Sequence, residues 1–260
     1  MTSYKPVEAA LRVLQVLQTL SRLGSAGVTE IHAATGINRP TVVRMLETLM
    51  YAGYVYRQEE RGRYGLTAKA LALSVGYQPA VELRHHAAPI LAELQELIGW
   101  PSDVAICDGV QMVTVATSPP SGRISINEPA GYRAEIFRTS LGLAYIAFAA
   151  DRERELIVRA LAAHPGTWND VARNPAVANR VLSKVRRRGY AVAITRASSY
   201  GALMTIGVPI LVGARAIAAM NVIHISDSLN MRAAVRRFLP PLREAAARLA
   251  TAAAPEPQTT

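Results

Sequence analysis

Residues 28–52, Val-Thr-Glu-Ile-His-Ala-Ala-Thr-Gly-Ile-Asn-Arg-Pro-Thr-Val-Val-Arg-Met-Leu-Glu-Thr-Leu-Met-Tyr-Ala, decide how the first third of this chain folds. The stretch predicts a short helix over 29–35 with Thr29 as its N-cap, a tight turn at Gly36-Ile37, and a second helix opened by Asn38 and running to Ala52. On that second helix Val42, Met45, Leu46 and Leu49 share one face. Asn38, Thr41, Arg44, Thr48 and Tyr51 recur at spacings of three and four on the other, with Glu47 the one acidic residue near them.

Upstream, residues 6–22 set Val7, Leu11, Leu14 and Leu17 on one helical face, with Val13, Val16 and Leu20 beside it, Pro6 near the start and Gly24 past the end. A face this broad serves either a single core or a core and a partner subunit together. Downstream, the aromatic and β-branched runs 54–57 and 63–66 flank the charged, Gly-ended turn 58–62 and predict a β-hairpin wing. Thr67 then opens a further helix to about Gly76, and Gln78-Pro79 marks a boundary between domains.

Helix, turn, helix and wing form a unit that lays its second helix in a major groove while the wing reaches the backbone or the minor groove. Such a helix needs base-edge donors and no run of carboxylates. Asn38, Arg39, Thr41, Arg44 and Thr48 meet that need: Arg bonds guanine in bidentate fashion, Thr offers a hydroxyl or a methyl, and Asn38 caps while its neighbours meet phosphate. Arg57, Arg61 and Arg63 are the wing's candidates, although Glu59 and Glu60 among them repel phosphate. An ordinary helical hairpin with a solvated face is the plainer alternative.

Composition sets the outer limits. With 260 residues, half of them hydrophobic, the chain builds globular cores, and its length suits two domains at about 150 residues each. Twenty-nine Lys and Arg against 19 Asp and Glu give +10, of which residues 1–78 carry +4 and the remainder +6. Charge alone therefore does not locate a binding surface. One cysteine, Cys107, excludes an intramolecular disulfide and fits a reducing cytoplasm. Arg12, Gln15 and Gln18 interrupt the N-terminal apolar stretch, unlike a signal peptide. The longest uncharged run, 201–214, is 14 residues long and contains Pro209, short of the roughly 20 a membrane-spanning helix needs. The expectation is a soluble, cytoplasmic protein with no membrane partner.

Residues 79–252 read as a second, α+β domain: an amphipathic helix over 80–98, strands at 103–107, 111–116 and 123–126, helices at 140–149, 151–162 and 175–188, strands at 190–195, 202–211 and 216–225, and a helix over 227–252. Asp108-Gly109 signals a hairpin turn. The pattern is an antiparallel sheet with helices gathered against it, followed by a disordered tail, 253–260.

Enzymatic chemistry finds little support. Cys107 lies inside an apolar strand with no histidine near it in sequence. His85 and His86 point about 100° apart on a helix and cannot grip one metal as an i, i+4 pair does. His32, His164 and His224 stand alone, and no Cys/His cluster or phosphate-binding loop is present, so neither a metal nor a cofactor is expected. Arg186-Arg187-Arg188 reads as a phosphate patch or as a basic helix end favoured by the helix dipole.

Over nearly its whole length the chain resembles the IclR-type transcriptional regulators. The resemblance is carried by 28–46 as the helix-turn-helix, by Leu49-Met50-Tyr51-Ala52-Gly53-Tyr54, by Tyr64-Gly65-Leu66-Thr67 followed by Lys69-Ala70-Leu71, by Thr139-Ser140-Leu141-Gly142-Leu143-Ala144, by Arg188-Gly189-Tyr190-Ala191 and by Ile206-Gly207-Val208-Pro209, in that order. Trp100-Pro101-Ser102-Asp103-Val104 and the helix start at Arg138-Thr139-Ser140 look most like the branch that activates hydroxyphenylpropionate degradation. The resemblance implies a winged helix-turn-helix DNA-binding domain with a linker helix (1–78) and a GAF-like effector domain (79–252). It further implies homodimers or homotetramers on a palindromic double-stranded operator, a small carboxylic or aromatic acid as effector, and contact with RNA polymerase. Carried onto this chain, the effector positions are Ser140 and Leu141, whose amides lie at a helix N-terminus suited to an anion, then Thr195, Thr205, Val222 and His224. The acidic residue usual in the family between the Gly-Tyr string and the late strand is absent from Arg196-Ala197-Ser198-Ser199-Tyr200, so Arg196 or Arg123 becomes a candidate partner for a carboxylate, each with exposed surface arginine as the alternative. The rival from another class is a small-molecule-binding or catalytic α+β protein whose N-terminal unit only dimerises.

Overall fold

Asn38 starts the helix that the sequence assigns to it. Its side-chain oxygen accepts the Thr41 amide at 3.0 Å, and Pro40 sits within the first turn, where its missing N–H costs nothing. The computed structural model in which this is seen describes residues 5–58, 62–73, 78–120, 129–164, 166, 169–196, 201–226 and 229–253, the side chains of 78–82 and 196 excepted. The chain divides into two units, Met1–Gln78 and Pro79–Thr260.

The first unit runs α1 (Glu8–Leu23), β1 (Ser25–Ala26), α2 (Val28–Thr35), α3 (Arg39–Tyr51), β2 (Val55–Gln58) and β3 (Arg63–Leu66), then a 3-10 turn over Ala68–Leu73. Val16 and Leu20 of α1, Ile31 of α2, Val42, Leu46 and Leu49 of α3, and Val55 and Tyr64 of the hairpin form one buried core. That core uses only part of α1: Val7, Leu11 and Leu14 stay exposed. Two expectations are corrected. Gly27, not Thr29, caps α2, because Glu30 reaches back to accept the Gly27 amide at 2.7 Å and fixes the helix start two residues earlier. The segment after Thr67 makes a 3-10 turn instead of a longer helix; its end, 74–76, lies outside the described residues.

The second unit opens with α4 (Gln78–Ile98) and continues β4 (Ser102–Asp108), β5 (Gln111–Thr117), β6 (Arg133–Glu135), α5 (Ser140–Phe148), α6 (Asp151–Ala163), α7 (Asp170–Arg173), α8 (Pro175–Arg188), β7 (Ala191–Arg196), β8 (Ala202–Val212), β9 (Arg215–Ile225) and α9 (Met231–Ala252). The six strands among its described residues form one antiparallel sheet in the order β6-β5-β4-β9-β8-β7. Asp108 and Gln111 close the β4–β5 hairpin across Gly109, whose φ of 65° suits a tight turn.

Helices cover both faces. On one, Leu91, Leu94 and Ile98 of α4 and Phe238, Leu242 and Leu249 of α9 pack on Val104, Ile206, Val208, Met220 and Val222. On the other, α5, α6 and α8 pack on Ala105, Met112, Ala191, Ala216 and Ala219. The alternation of neighbours such as Val104 and Ala105 between the two cores is the period of two that a strand imposes. Asn230 caps α9 by accepting the Ala233 amide at 3.0 Å, so that helix begins after the predicted 227. The predicted strand at 123–126 and the tail beyond Ala253 lie outside the described residues.

Candidate nucleic-acid interface and ligand cavity

The helix-turn-helix is fixed by short-range polar bonds at its corner. Gly36 takes φ 70° and its amide donates to the His32 carbonyl at 2.8 Å; His32 Nδ1–H donates to the Ile37 carbonyl at 2.8 Å, and the Ile37 amide donates to Thr35 Oγ1 at 3.2 Å. With Val42, Leu46 and Leu49 buried, α3 turns Asn38, Arg39, Arg44 and Thr48 outward, with Thr41 half-buried at the rim. Thr48 donates its hydroxyl to the Arg44 carbonyl at 2.8 Å. Neither Arg39 nor Arg44 has an ion-pair partner among the described residues. Tyr51, at the end of the same helix, is 97% exposed.

The predicted wing arginines part company. Arg57 is exposed and lies over its cross-strand neighbour Tyr64, 5.9 Å from the ring centroid. Arg63 is bound within the unit: its guanidinium donates to Ser25 Oγ and to the Ser25 carbonyl at 2.6 Å and pairs with Glu30 at 2.8 Å. The Gly27 amide, and then Arg63, hold the Glu30 carboxyl below its ordinary pKa. Arg63 thus ties the wing to the start of α2. Arg61 lies outside the described residues.

In the second unit a cavity of about 520 Å³ opens between the start of α5 and one face of the sheet. Four of the predicted effector positions line it: Ser140, Leu141, Thr195 and Thr205. Thr139 caps α5 by accepting the Gly142 amide at 3.1 Å and donates its own hydroxyl to the Glu135 carbonyl at 3.0 Å. The Ser140 and Leu141 amides, in the first turn, have no intrahelical acceptor. Ser140 is 1% exposed, and its hydroxyl has no hydrogen-bond partner.

Two predicted positions belong elsewhere. Val222 packs in the α4–α9 core. His224 is fully buried on that same face, its ring 6.1 Å from that of Trp100 and 5.6 Å from that of Phe238. Burial holds its pKa below the ordinary histidine value. The correction is a slip of one residue: Asn221 and Ile223 of β9 face the cavity, and their neighbours turn away. Arg123 lies outside the described residues, and of Arg196 only the backbone at the end of β7 is described.

Residues not singled out in the sequence complete the site. Arg138, exposed and without an ion-pair partner among the described residues, lines the cavity beside Ser140. Across the sheet runs a polar row set by register, Gly207–Asn221–Asp103–Thr117. Thr117 Oγ1 donates to Asp103 Oδ1 at 2.7 Å, and the Asp103 amide donates to Asn221 Oδ1 at 2.9 Å. With its oxygen so committed, Asn221 presents its amide N–H₂ as a donor. The available signal was a polar residue inside an apolar strand, Ala-Ala-Met-Asn221-Val-Ile.

Elsewhere, no group of three or more metal-ligating side chains occurs among the described residues. Cys107 is partly buried, and burial pushes its thiol up to about 12, so it stays protonated. No helix among the described residues is long and apolar enough to cross a membrane.

Comparison with known proteins agrees with this architecture. Residues 9–59 match the IclR helix-turn-helix domain, and residues 75–251 match the C-terminal domain of the bacterial transcriptional regulator IclR. The transcriptional regulator TsaQ1/TsaQ2 of Comamonas testosteroni is 25% identical over 189 residues, 72% of this chain and 67% of that protein. The regulator KdgR of Escherichia coli is 25% identical over 184 residues, 71% and 70% of the two chains. An IclR homologue from Microbacterium hydrocarbonoxydans, crystallised with 4-hydroxybenzoate, superposes with a TM-score of 0.68 at 22% identity, covering 95% of this chain and 99% of that one. These relatives carry several regulator names, so the family is shared and the hydroxyphenylpropionate branch is not singled out. With both of its units matched in order, this chain belongs to the IclR family of DNA-binding transcriptional regulators, which are not enzymes.

Proposed function

We propose that the chain is a ligand-responsive regulator of catabolic genes whose effector is a small aromatic or other carboxylic acid bound in the cavity of the second unit. The observation that carries this reading is the Ser140 hydroxyl, buried without a partner where the free amides of α5 meet that cavity. A helix N-terminus favours an anion, and the Ser140 and Leu141 amides lie in that first turn. Arg138 supplies a cation at the same end, and Asn221 supplies a donor for a second oxygen. Ile194, Leu203 and Ile223 give the apolar wall against which a ring or alkyl body lies. The volume of about 520 Å³ suits a molecule of that size. The 4-hydroxybenzoate crystallised with the Microbacterium homologue is a molecule of this class.

On the DNA side, Arg39 and Arg44 read bases or phosphates from α3, Thr41 and Thr48 flank them, Asn38 sets the helix start, and Arg57 meets the backbone from the wing. Arg63 holds the wing in place. The protein acts in the cytoplasm, as a homodimer or homotetramer on a palindromic operator, and the effector shifts either the placement of the winged units or their contact with RNA polymerase, a coupling free energy between two sites. The deciding experiment is a fluorescence titration of the DNA upstream of this protein's own gene, near physiological salt with excess competitor DNA, across a panel of hydroxylated phenyl acids and aliphatic hydroxy acids. Specific binding that one acid changes supports the reading. Binding that no acid alters removes the effector part of it.

A further inference from the structure

The excess charge of the second unit lies on two helices: α9 holds five arginines and one glutamate, a net +4, and α8 is the one of the two with no carboxylate at all. Residues 79–260 hold 20 Lys and Arg against 14 Asp and Glu, a net +6; α8 alone holds five of the cations, Arg180, Lys184, Arg186, Arg187 and Arg188, and no carboxylate, which leaves +1 for the rest of the unit. Folding accounts for part of this. Arg186, Arg187 and Arg188 sit in the last turn, where cations complement the exposed carbonyls. Arg186 also donates to the Ala147 carbonyl at 2.5 Å, so it has a structural duty.

Arg180 and Lys184 lie before that last turn and gain little from the helix end. Arg180 with Lys184, and Lys184 with Arg188, are like-charge i, i+4 pairs, which weaken a helix. Arg180, Lys184, Arg187 and Arg188 are all exposed and fall within about 100° of arc, opposite the buried Ala178, Leu182 and Val185. None of the four side chains has an ion pair or hydrogen bond among the described residues. On α6 and α7, Asp151 and Asp170 are engaged by Arg154 and Arg173. Arg243 of α9 stands at the end of the row and donates to the Arg188 carbonyl at 2.9 Å. The arrangement weakens its own helix and is answered by no carboxylate among the described residues.

A row of cations about 12 Å long, eight residues at 1.5 Å each, is long enough to reach several neighbouring phosphates of a duplex, whose two strands together present one charge per about 1.7 Å of axis. Guanidinium forks fit phosphate in bidentate fashion. Duplex DNA is the polyanion this family binds. We propose that the outer face of α8 is a second, sequence-independent contact with the DNA backbone, made by Arg180, Lys184, Arg187 and Arg188, in addition to the contact made by the winged unit.

The test is the salt dependence of DNA binding by the full chain, measured on a duplex of scrambled sequence about 60 base pairs long between about 50 and 200 mM NaCl. Arg180→Gln/Lys184→Gln/Arg187→Gln/Arg188→Gln flattens the slope of log K against log salt by about 3.6, at about 0.9 for each phosphate no longer neutralised. Arg180→Lys/Arg187→Lys/Arg188→Lys, which keeps every charge, retains the slope. Should the fourfold variant fail to fold, Arg180→Gln/Lys184→Gln leaves the helix end intact and still flattens the slope by about 1 to 2. An unchanged slope in a folded neutral variant overturns the proposal, as does an absence of salt-dependent DNA binding by the unaltered chain. An unchanged slope together with weakened retention on a poly-glutamate surface gives the row to an acidic protein face and overturns it equally.

Discussion

Gly207 of β8 lies directly against Ser140, the first residue of α5: a Cβ on Gly207 would stand 2.4 Å from the Ser140 carbonyl oxygen and 3.0 Å from its Cβ. The same close approach recurs at Gly142, where a Cβ would meet the Ile136 carbonyl oxygen at 2.3 Å. Gly207 therefore lets the start of α5 sit on the sheet at backbone distance, Gly142 lets the first turn of α5 close on the turn that precedes it, and together they place Ser140 and Leu141 at the wall of the cavity. Gly207→Ala must push α5 off the sheet or bend β8. The expected cost is about 1 to 3 kcal/mol of stability, the usual penalty for overpacking a tight contact. Chemical denaturation measures it, and effector-dependent change in DNA binding should disappear in the same variant. An effector response at full strength would show that the α5 start does not need this seat.

Thr205 of β8 lines the cavity beside its cross-strand partner Ile223. Thr205→Trp adds a bulky indole to a space of about 520 Å³ and blocks it while leaving the first unit untouched. DNA affinity without effector should be unchanged within about twofold, a few tenths of a kcal/mol, and the response to any acid should be lost. A retained response would move the effector out of this cavity.

Arg44 projects from the exposed face of α3 with no carboxylate among the described residues to occupy it. Arg44→Ala should cost about 1 to 3 kcal/mol on the specific site and relax preference at one base pair. The check is a set of single-base operator variants titrated against both proteins. Equal weakening on every sequence would make Arg44 a phosphate contact.

His224 predicts a pH dependence. Burial against Trp100 and Phe238 holds its imidazole neutral and its pKa below the ordinary value of 6.5. The unfolded chain therefore takes up a proton before the folded one does, and stability, complete above about pH 6.5, falls as the pH drops below it. His224→Leu keeps the volume and removes the titrating group. The loss of melting temperature between pH 7.5 and pH 5 should be smaller in that variant, as scanning calorimetry would show. Identical pH dependence would mean that the folded chain accepts the charge at this position.

The helix-turn-helix was legible because its signals are local. Asn38 as a cap, the glycine turn at 36, the spacing of Val42, Leu46 and Leu49, and the hairpin pattern around Tyr56 and Tyr64 each report on residues within a few positions of themselves. So was the antiparallel α+β character of the second unit, since strand and helix periods differ. The facing of β9 was not. Both faces of its middle, Ala218 to His224, are covered, one by α5 and the other by α9, so apolar residues run without alternation and periodicity has no sign. A strand buried on both sides says that it is central but not which residues look at which layer, and only its register against β4 and β8 sends Asn221 to the cavity and His224 to the core. Arg63 was hidden for the same reason: its partners, Ser25 and Glu30, are more than thirty residues away in sequence and meet it only once β1 pairs with β3. The sequence by itself determined the longer elements, their order and the family, because those rest on local chemistry, whereas the short β1, β6 and α7 emerge only in the fold. The tertiary structure decided which polar groups share a cavity and which charges are already spent, because those depend on residues that folding alone brings together.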